Sequence, residues 1–303
     1  VYGVIERLLT LDYIIGTLSA RPVGDIDREA LCALRLGVYQ CTFLDRIPPH
    51  AAVSESVSLA PARSRGFVNA LLRSYLRGGC RYTLPTEPLS RMSVQYSVPE
   101  ELCRFWVSHY GEAETESLLA ALLVHPPVTL RVNPLRTAAA DVVRLHEADG
   151  ARLCPLSPDM VSLDGGAHIA DGIRAGLYFV QDPASRLCVR ALGARPGETV
   201  IDTCAAPGGK SLSAALDMEN RGRVLSFDLH ENKLSLIRRA ADALGVTILT
   251  AAARDARTPD EMLVGQADRV LCDAPCSGLG VIAKKPDIRY KSLDAVRALP
   301  RIQ

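Results

Sequence analysis

The ten residues Asp202-Thr-Cys-Ala-Ala-Pro-Gly-Gly-Lys-Ser211 constrain the fold of this chain more than any other stretch. A β-type run, Glu198-Thr-Val-Ile-Asp202, leads into them, and a helical pattern, Ser211-Leu-Ser-Ala-Ala-Leu-Asp-Met218, leads out. In a doubly wound sheet, a glycine-rich turn between a strand and a helix is where a nucleotide-like ligand docks. Gly208 and Gly209 let the backbone approach that ligand, and the free N–H groups of the following helix favour an anion. The turn is not the dinucleotide pattern G-x-G-x-x-G, because a proline and a lysine occupy it. It is not a phosphate-binding P-loop, because Cys204 stands where the first glycine would be.

Three more strands follow in the same rhythm. Arg223-Val-Leu-Ser-Phe227 ends on Asp228, and a helix from Asn232 to Leu244 follows, apolar at Leu234, Ile237 and Leu244 and stopped by Gly245. Val246-Thr-Ile-Leu-Thr250 runs toward Asp255, and Asp268-Arg-Val-Leu-Cys272 runs into Asp273-Ala-Pro-Cys276. Strands alternating with helices predict an α/β Rossmann-like unit with a parallel sheet. A lone aspartate after a strand is usually a helix cap. Three of them at the carboxyl edge of successive strands, behind a glycine turn, predict ligand contacts at Asp228, Asp255 and Asp273. Asp228 lies 20 residues beyond Gly208, the spacing at which an acidic side chain reaches ribose hydroxyls.

The nine cysteines are scattered, with no C-x-x-C pair and no histidine cluster, so no metal site is expected. Their odd count, several within apolar runs, suits reduced thiols in a cytoplasmic protein. Cys272 reads as strand core and Cys204 as packing of the turn. Cys276 differs: it follows a proline past a strand end, beside Asp273 and a predicted helix start, a setting that lowers a thiol's pKa. A formal net charge of +1 excludes a generic nucleic-acid coat, so any RNA contact must use local patches. The best patch is Lys284-Lys-Pro-Asp-Ile-Arg-Tyr-Lys291, with Tyr290 offered for stacking on a base. No apolar run reaches the roughly 20 residues of a membrane helix, and no secretory signal is visible, so no membrane contact is expected.

The front of the chain has a different period. Residues 1 to 80 read as all-α: Ile5, Leu8, Leu9 and Tyr13 form one stripe, Leu31, Leu34, Leu36, Val38, Tyr39 and Leu44 another, and 51–59 and 67–73 supply two more. Residues 81 to 165 read as a small α+β connector. Helices are expected from Pro99 to Tyr110, Ala113 to Leu123 and Ala138 to Asp149, with strands at 128–133 and after Gly150. Residues 166 to 303 hold the α/β unit.

The strings DTCAAPGGKS, FDLHENKL, ARDAR and DRVLCDAPCSGLGVIAKKPDIRY closely resemble those of the S-adenosylmethionine-dependent RNA cytosine-5 methyltransferases. The likeness is to the Sun/Fmu (RsmB) family, which modifies 16S ribosomal RNA. LRLGVYQCTFLDRIPPHAAV and RGFVNALLR resemble part of a NusB-like RNA-binding bundle, with Ser54 where an asparagine is usual. The resemblance implies a NusB-like domain offering Arg63, Arg65, Arg73 and Arg77 to RNA, a ferredoxin-like connector, and a class I methyltransferase domain. It implies S-adenosylmethionine as cofactor, ribosomal RNA as partner, and a cytoplasmic monomer. Cys204, Ala205, Ala206, Pro207, Gly208, Gly209 and Lys210 would cradle the methionine end. Asp228 would hold the ribose, Asp255 would lie near the adenine, and Asp273 would face both cofactor and target base. Gln181 and Asp182 are secondary pocket candidates.

Carbon 5 of cytosine is a poor nucleophile, and a thiolate added at carbon 6 makes the ring an enamine able to take a methyl from a sulfonium. Asp273, near N3 and N4, would stabilise the adduct, and Lys210 would add charge beside the base. The base must be flipped or unpaired to be reached. In the resembling enzymes the Pro-Cys cysteine, here Cys276, assists product release, and a later Ser-Thr-Cys motif carries the nucleophile. No cysteine follows Cys276, so the chain is expected to be incomplete at its C-terminus, and its start at Val1 inside a helical pattern suggests the same at the N-terminus. Two alternatives stay open. Cys276 itself attacks, as in DNA cytosine methyltransferases, or the chain is a non-catalytic RNA-binding assembly factor that keeps the cofactor fold. A transfer-RNA methylase is disfavoured by the NusB-like start.

Overall fold

The helical periodicity of the first segment becomes the helices Tyr2–Glu6, Leu8–Leu18, Arg28–Phe43, Pro49–Leu59 and Arg65–Arg77 in the computed structural model of the chain, which describes residues 1–165 and 168–303. Leu34 and Val38 of the second stripe and Val68 and Leu72 further on close their core with Leu11 and Ile14, whereas the first stripe drawn from sequence, Ile5, Leu8, Leu9 and Tyr13, is corrected: those four are only partly buried. Asp27 caps the third helix by accepting from Ala30 N at 3.2 Å, which satisfies a free N–H of the first turn. A helix not anticipated, Pro88–Tyr96, follows; Pro88 suits the first turn and Glu87 accepts from Ser90 N at 2.6 Å. Glu100–Tyr110 and Glu112–Ala121 complete this region, with Leu102, Cys103, Trp106 and Leu119 buried.

Residues 1–126 and 277–298 form one compact unit, and residues 127–276 and 299–303 the other. These units run across the three segments drawn from sequence: the helices up to Ala121 share the first unit with the all-α bundle. The boundary drawn at 166 lies outside the described residues.

In the first unit, 277–298 folds as short turns that bury Ile282, Ile288 and Leu293 beside Leu102 and Trp106. Arg289 is fully buried and donates from Nη1 to the carbonyls of Glu6 at 2.9 Å and of Tyr96 and Ser97 at 3.3 Å. Tyr290 donates its hydroxyl to Ile5 O at 2.7 Å. The expectation that Tyr290 stacks on a base is therefore corrected, because Tyr290 is half-buried with its hydroxyl engaged by a backbone carbonyl. Lys284, Lys285 and Lys291 remain exposed.

The second unit contains two sheets. The strands β1 (Val128–Val132), β2 (Arg152–Leu153), β3 (Met160–Leu163) and β4 (Tyr178–Val180) pair antiparallel in the order β2-β3-β1-β4. With the helices Ala139–Leu145 and Ala170–Arg174 between them, they give the β-α-β-β-α-β order of a ferredoxin-like fold. The strands β5 (Thr199–Asp202), β6 (Arg223–Asp228), β7 (Leu249–Ala253) and β8 (Arg269–Leu271) pair parallel in the order β7-β6-β5-β8. Helices Gly209–Asp217 and Glu231–Leu244 pack on this sheet through Leu212, Leu216, Ala241 and Leu244.

Two strand assignments need correction. The third parallel strand starts at Leu249, not Val246, because Val246 closes the preceding helix: with Gly245 left-handed at φ 73°, Val246 N donates to Ala241 O at 2.9 Å and its side chain is buried. Cys272, read as strand core, lies past the end of β8 and is exposed; β8 has β5 on one side and no strand on the other among the described residues. No helix among the described residues is long and apolar enough to cross a membrane.

Candidate active site

The turn after β5 is pinned by two buried aspartates. Asp202 Oδ2 accepts from Ser211 Oγ at 2.6 Å and Oδ1 from Cys204 N at 3.3 Å. Burial raises its carboxyl above the usual range. Asp228, at the tip of β6, accepts from Ala206 N at 3.1 Å on one oxygen and from His230 N at 3.0 Å on the other. Ala205 N donates to Phe227 O at 2.7 Å, so the turn is stitched to the neighbouring strand end as well. Gly208 has φ +106°, and a Cβ there would stand 3.2 Å from Ile237 Cγ2. Both the backbone conformation and the space require glycine at this position. Gly209 opens the helix, and no side chain among the described residues caps the free N–H groups of its first turn.

A cavity of about 180 Å³ opens beside this turn, lined among others by Gln181, Asp182, Asp202, Cys204, Lys210 and Asp273. It lies where β5 has β6 on one side and β8 on the other, the reversal of strand order at which open α/β sheets bind ligands. Lys210 Nζ reaches Asp273 Oδ2 at 2.5 Å across it. Cys204 is half-buried and burial raises its thiol pKa, in keeping with packing of the turn.

The other expected residues stand further off. Asp228 is beside the turn but outside the cavity lining. Asp255 lies beyond β7 in a bidentate pair with Arg257, Oδ2 to Nη2 at 2.6 Å, which holds its carboxyl down at about 2. Cys276 is exposed. The helix start expected after it is corrected to a three-residue 3₁₀ turn, Leu279–Val281, too short to present a helix dipole.

Of the NusB-like arginines, Arg63 pairs with Asp27 at 2.6 Å, Arg65 donates to Ala60 O at 3.1 Å and Arg73 to Asn69 Oδ1 at 2.9 Å; Arg77 is exposed.

Sequence reasoning missed what holds the helix Gly209–Asp217. Arg131 on β1 and Arg186, both almost fully buried, donate to Asp217 at its last turn, at 3.0 and 2.5 Å, and both pair with Asp159. At the first turn Gln181 Nε2 donates to Gly209 O at 2.9 Å, while Gln181 Oε1 is buried with no partner. An arginine in the middle of the apolar run Val128-Thr-Leu-Arg-Val132 was the available signal.

Concave backbone, a lysine, an aspartate and an unpaired buried acceptor suit a ligand that carries charged and hydrogen-bonding groups. At about 180 Å³ the cavity is smaller than the several hundred Å³ typical for a whole ligand, so it takes one end of it.

Comparison with known proteins finds three family models in order along the chain. Residues 1–77 match the NusB family, 98–170 a ferredoxin-like domain of RsmF/B-like methyltransferases, and 189–301 the 16S rRNA methyltransferase RsmB/F. The chain is 38% identical over 319 residues to a probable ribosomal RNA small subunit methyltransferase B of Bacillus subtilis, covering 100% of the chain and 70% of that protein. It is 34% identical to the protein of the same name in Synechocystis, covering 98% of the chain and 69% of that protein. Among solved structures, that of PH0851 superposes with a TM-score of 0.80 at 25% identity, covering 99% of this chain and 70% of the other.

Proposed function

We infer the reaction from one premise: the chain belongs to the RsmB/F family of 16S rRNA methyltransferases. We propose that it transfers a methyl group from S-adenosylmethionine to carbon 5 of a cytosine in 16S ribosomal RNA. The observation that carries this reading is the 2.5 Å contact of Lys210 with Asp273 at the strand-order reversal, with Cys276 three residues further along the chain. The bound cofactor supplies an electrophilic methyl group. Apart from the attacking thiolate, which this reading gives to the Ser-Thr-Cys motif of the family, the other roles fall to residues of this chain. The turn 204–210 holds the methionine end, Asp228 the ribose and Asp255 the adenine side. Asp273 takes the polar edge of the base, N3 and N4. Lys210, released from Asp273, places positive charge beside the ring as the thiolate adds at carbon 6.

Cys276 is assigned the release step, in which the adduct loses the carbon-5 proton and the cysteine is expelled. Lys284 and Lys285 are proposed to meet RNA phosphates, and Arg77 to do so from the NusB-like segment. In this reading the segments 1–80, 81–165 and 166–303 act as RNA-binding, connecting and catalytic modules of a cytoplasmic monomer.

The test is nucleoside mass spectrometry of 16S RNA after incubation with the full-length gene product and S-adenosylmethionine, alongside gel detection of covalent protein–RNA adduct. The expected product is 5-methylcytosine, and Cys276→Ala is expected to accumulate adduct. Methylation at another atom refutes the proposed chemistry. Cofactor and RNA binding without methyl transfer supports the assembly-factor alternative. Loss of the adduct in Cys276→Ala makes Cys276 the nucleophile instead.

A further inference from the structure

We propose that Gln181 positions the cofactor by accepting, through Oε1, a hydrogen bond from the ammonium group of its amino-acid end. The proposal rests on reading the cavity beside the turn as the S-adenosylmethionine pocket. The orientation of the amide is settled by chemistry: Gly209 O, 2.9 Å away, is an acceptor only, so the atom facing it is Nε2 and the atom on the other side is Oε1.

The residue carrying that amide is fixed. Gln181 N donates to Thr129 O at 3.1 Å and Gln181 O accepts from Thr129 Oγ1 at 2.6 Å, which ties it to the antiparallel sheet on both sides of its Cα. Gln181 is 5% exposed, lines the cavity, and leaves Oε1 without a donor.

The neighbouring carboxylates are already engaged. Asp202 accepts from Ser211 and Cys204, Asp182 caps the helix that starts at Pro183 by accepting from Ala184 N at 2.9 Å, and Asp273 is paired with Lys210. A cationic N–H donor suits a neutral amide oxygen, because charge-assisted hydrogen bonds are about twice as strong as neutral ones. The donor is the amino-acid end rather than the ribose, because the residue proposed for the ribose, Asp228, lies outside the lining of this cavity. Oε1 is screened from water, so the donor arrives with an adjustment of nearby side chains, which is ordinary on binding.

The experiment is a calorimetric cycle on the 303-residue chain with S-adenosylhomocysteine and its analogue lacking the α-amino group. The wild type and Gln181→Met, which keeps the length and removes the acceptor, are titrated with both. Gln181→Met is expected to bind S-adenosylhomocysteine roughly tenfold more weakly and the deamino analogue with no further loss, the size of one hydrogen bond to a charged group. An equal loss for both ligands would mean that Gln181 acts only through Gly209, and overturns the proposal, as does no loss at all. Gln181→Glu keeps an oxygen acceptor and gives a second reading: a preserved preference for the amino ligand supports the proposal and a vanished preference overturns it. A wild type that binds neither ligand overturns the cofactor reading itself, a result distinct from any of these.

Discussion

Replacing Asp228 with alanine separates two roles that its carboxylate combines. One is structural: it accepts from Ala206 N at 3.1 Å and His230 N at 3.0 Å. The other is the proposed ribose contact. A buried donor left without its acceptor costs about 1–3 kcal/mol. His230 is exposed and its N–H turns to water, so the cost falls mainly on Ala206, in the half-buried turn. The expected loss of stability is about 1–3 kcal/mol, or roughly 3–10 °C in melting temperature for a unit of this size. Cofactor affinity should fall further, by roughly 10- to 100-fold, because a charged acceptor is removed and the turn proposed to cradle the methionine end loses a brace. Asp228→Asn keeps one acceptor oxygen and points an amide nitrogen at the other N–H, so it should lie between wild type and alanine on both scales. The assay is thermal unfolding of the three proteins together with calorimetric titration of S-adenosylhomocysteine. Unchanged melting with lost affinity would refute the bracing role; lowered melting with full affinity would refute the ribose contact.

Gly208→Ala should destabilise by about 1–2 kcal/mol from the left-handed backbone alone. Contact with Ile237 at 3.2 Å should add to this, whereas Gly209→Ala, whose Cβ meets nothing nearer than Gln181 Nε2 at 3.9 Å, should melt close to wild type. Equal melting of the two variants would show that the turn relaxes. Arg131→Met leaves Arg186 alone to serve Asp159 and Asp217, and removing one member of a buried ion network typically costs about 3–5 kcal/mol, to be read from urea denaturation. A loss under about 1 kcal/mol would mean that the network is solvated. Arg257 depresses the Asp255 carboxyl from 3.8 to about 2, so the pair's contribution is present above pH 3.8 and is lost as pH falls through about 2. Arg257→Ala should return the Asp255 titration toward 3.8, observed by carboxyl NMR; a midpoint still near 2 would assign the depression to the turn's backbone.

What was legible in the sequence is what depends on neighbours along the chain. The turn after β5, the stop at Gly245 and the strand-tip positions of Asp228 and Asp273 follow from local periodicity and from glycine's backbone freedom, and they stand where periodicity put them. Val246 misled because a β-branched residue after a glycine has two equivalent local explanations, strand start and helix closure, and only the Ala241 carbonyl decides between them. Tyr290 misled for a related reason: a tyrosine in a basic run reads as a surface residue until its hydroxyl finds Ile5 O, 285 residues away.

The same limit explains why Arg131 was not singled out and why Gln181 stood only as a secondary pocket candidate, by resemblance. Their partners, Gly209 and Asp217, lie 28 and 86 residues further on, at opposite ends of one helix. That separation has a functional consequence. The helix Gly209–Asp217, whose first turn is proposed to meet the cofactor, is held at both ends by the antiparallel sheet, through Gln181 beside β4 and Arg131 on β1, within one compact unit. A helix held at both ends cannot tilt without breaking a buried ion pair or a buried amide bond, so the geometry of the turn is set before the ligand arrives. Pre-setting of this kind is what lets binding energy go into orienting the reacting groups rather than into ordering the site.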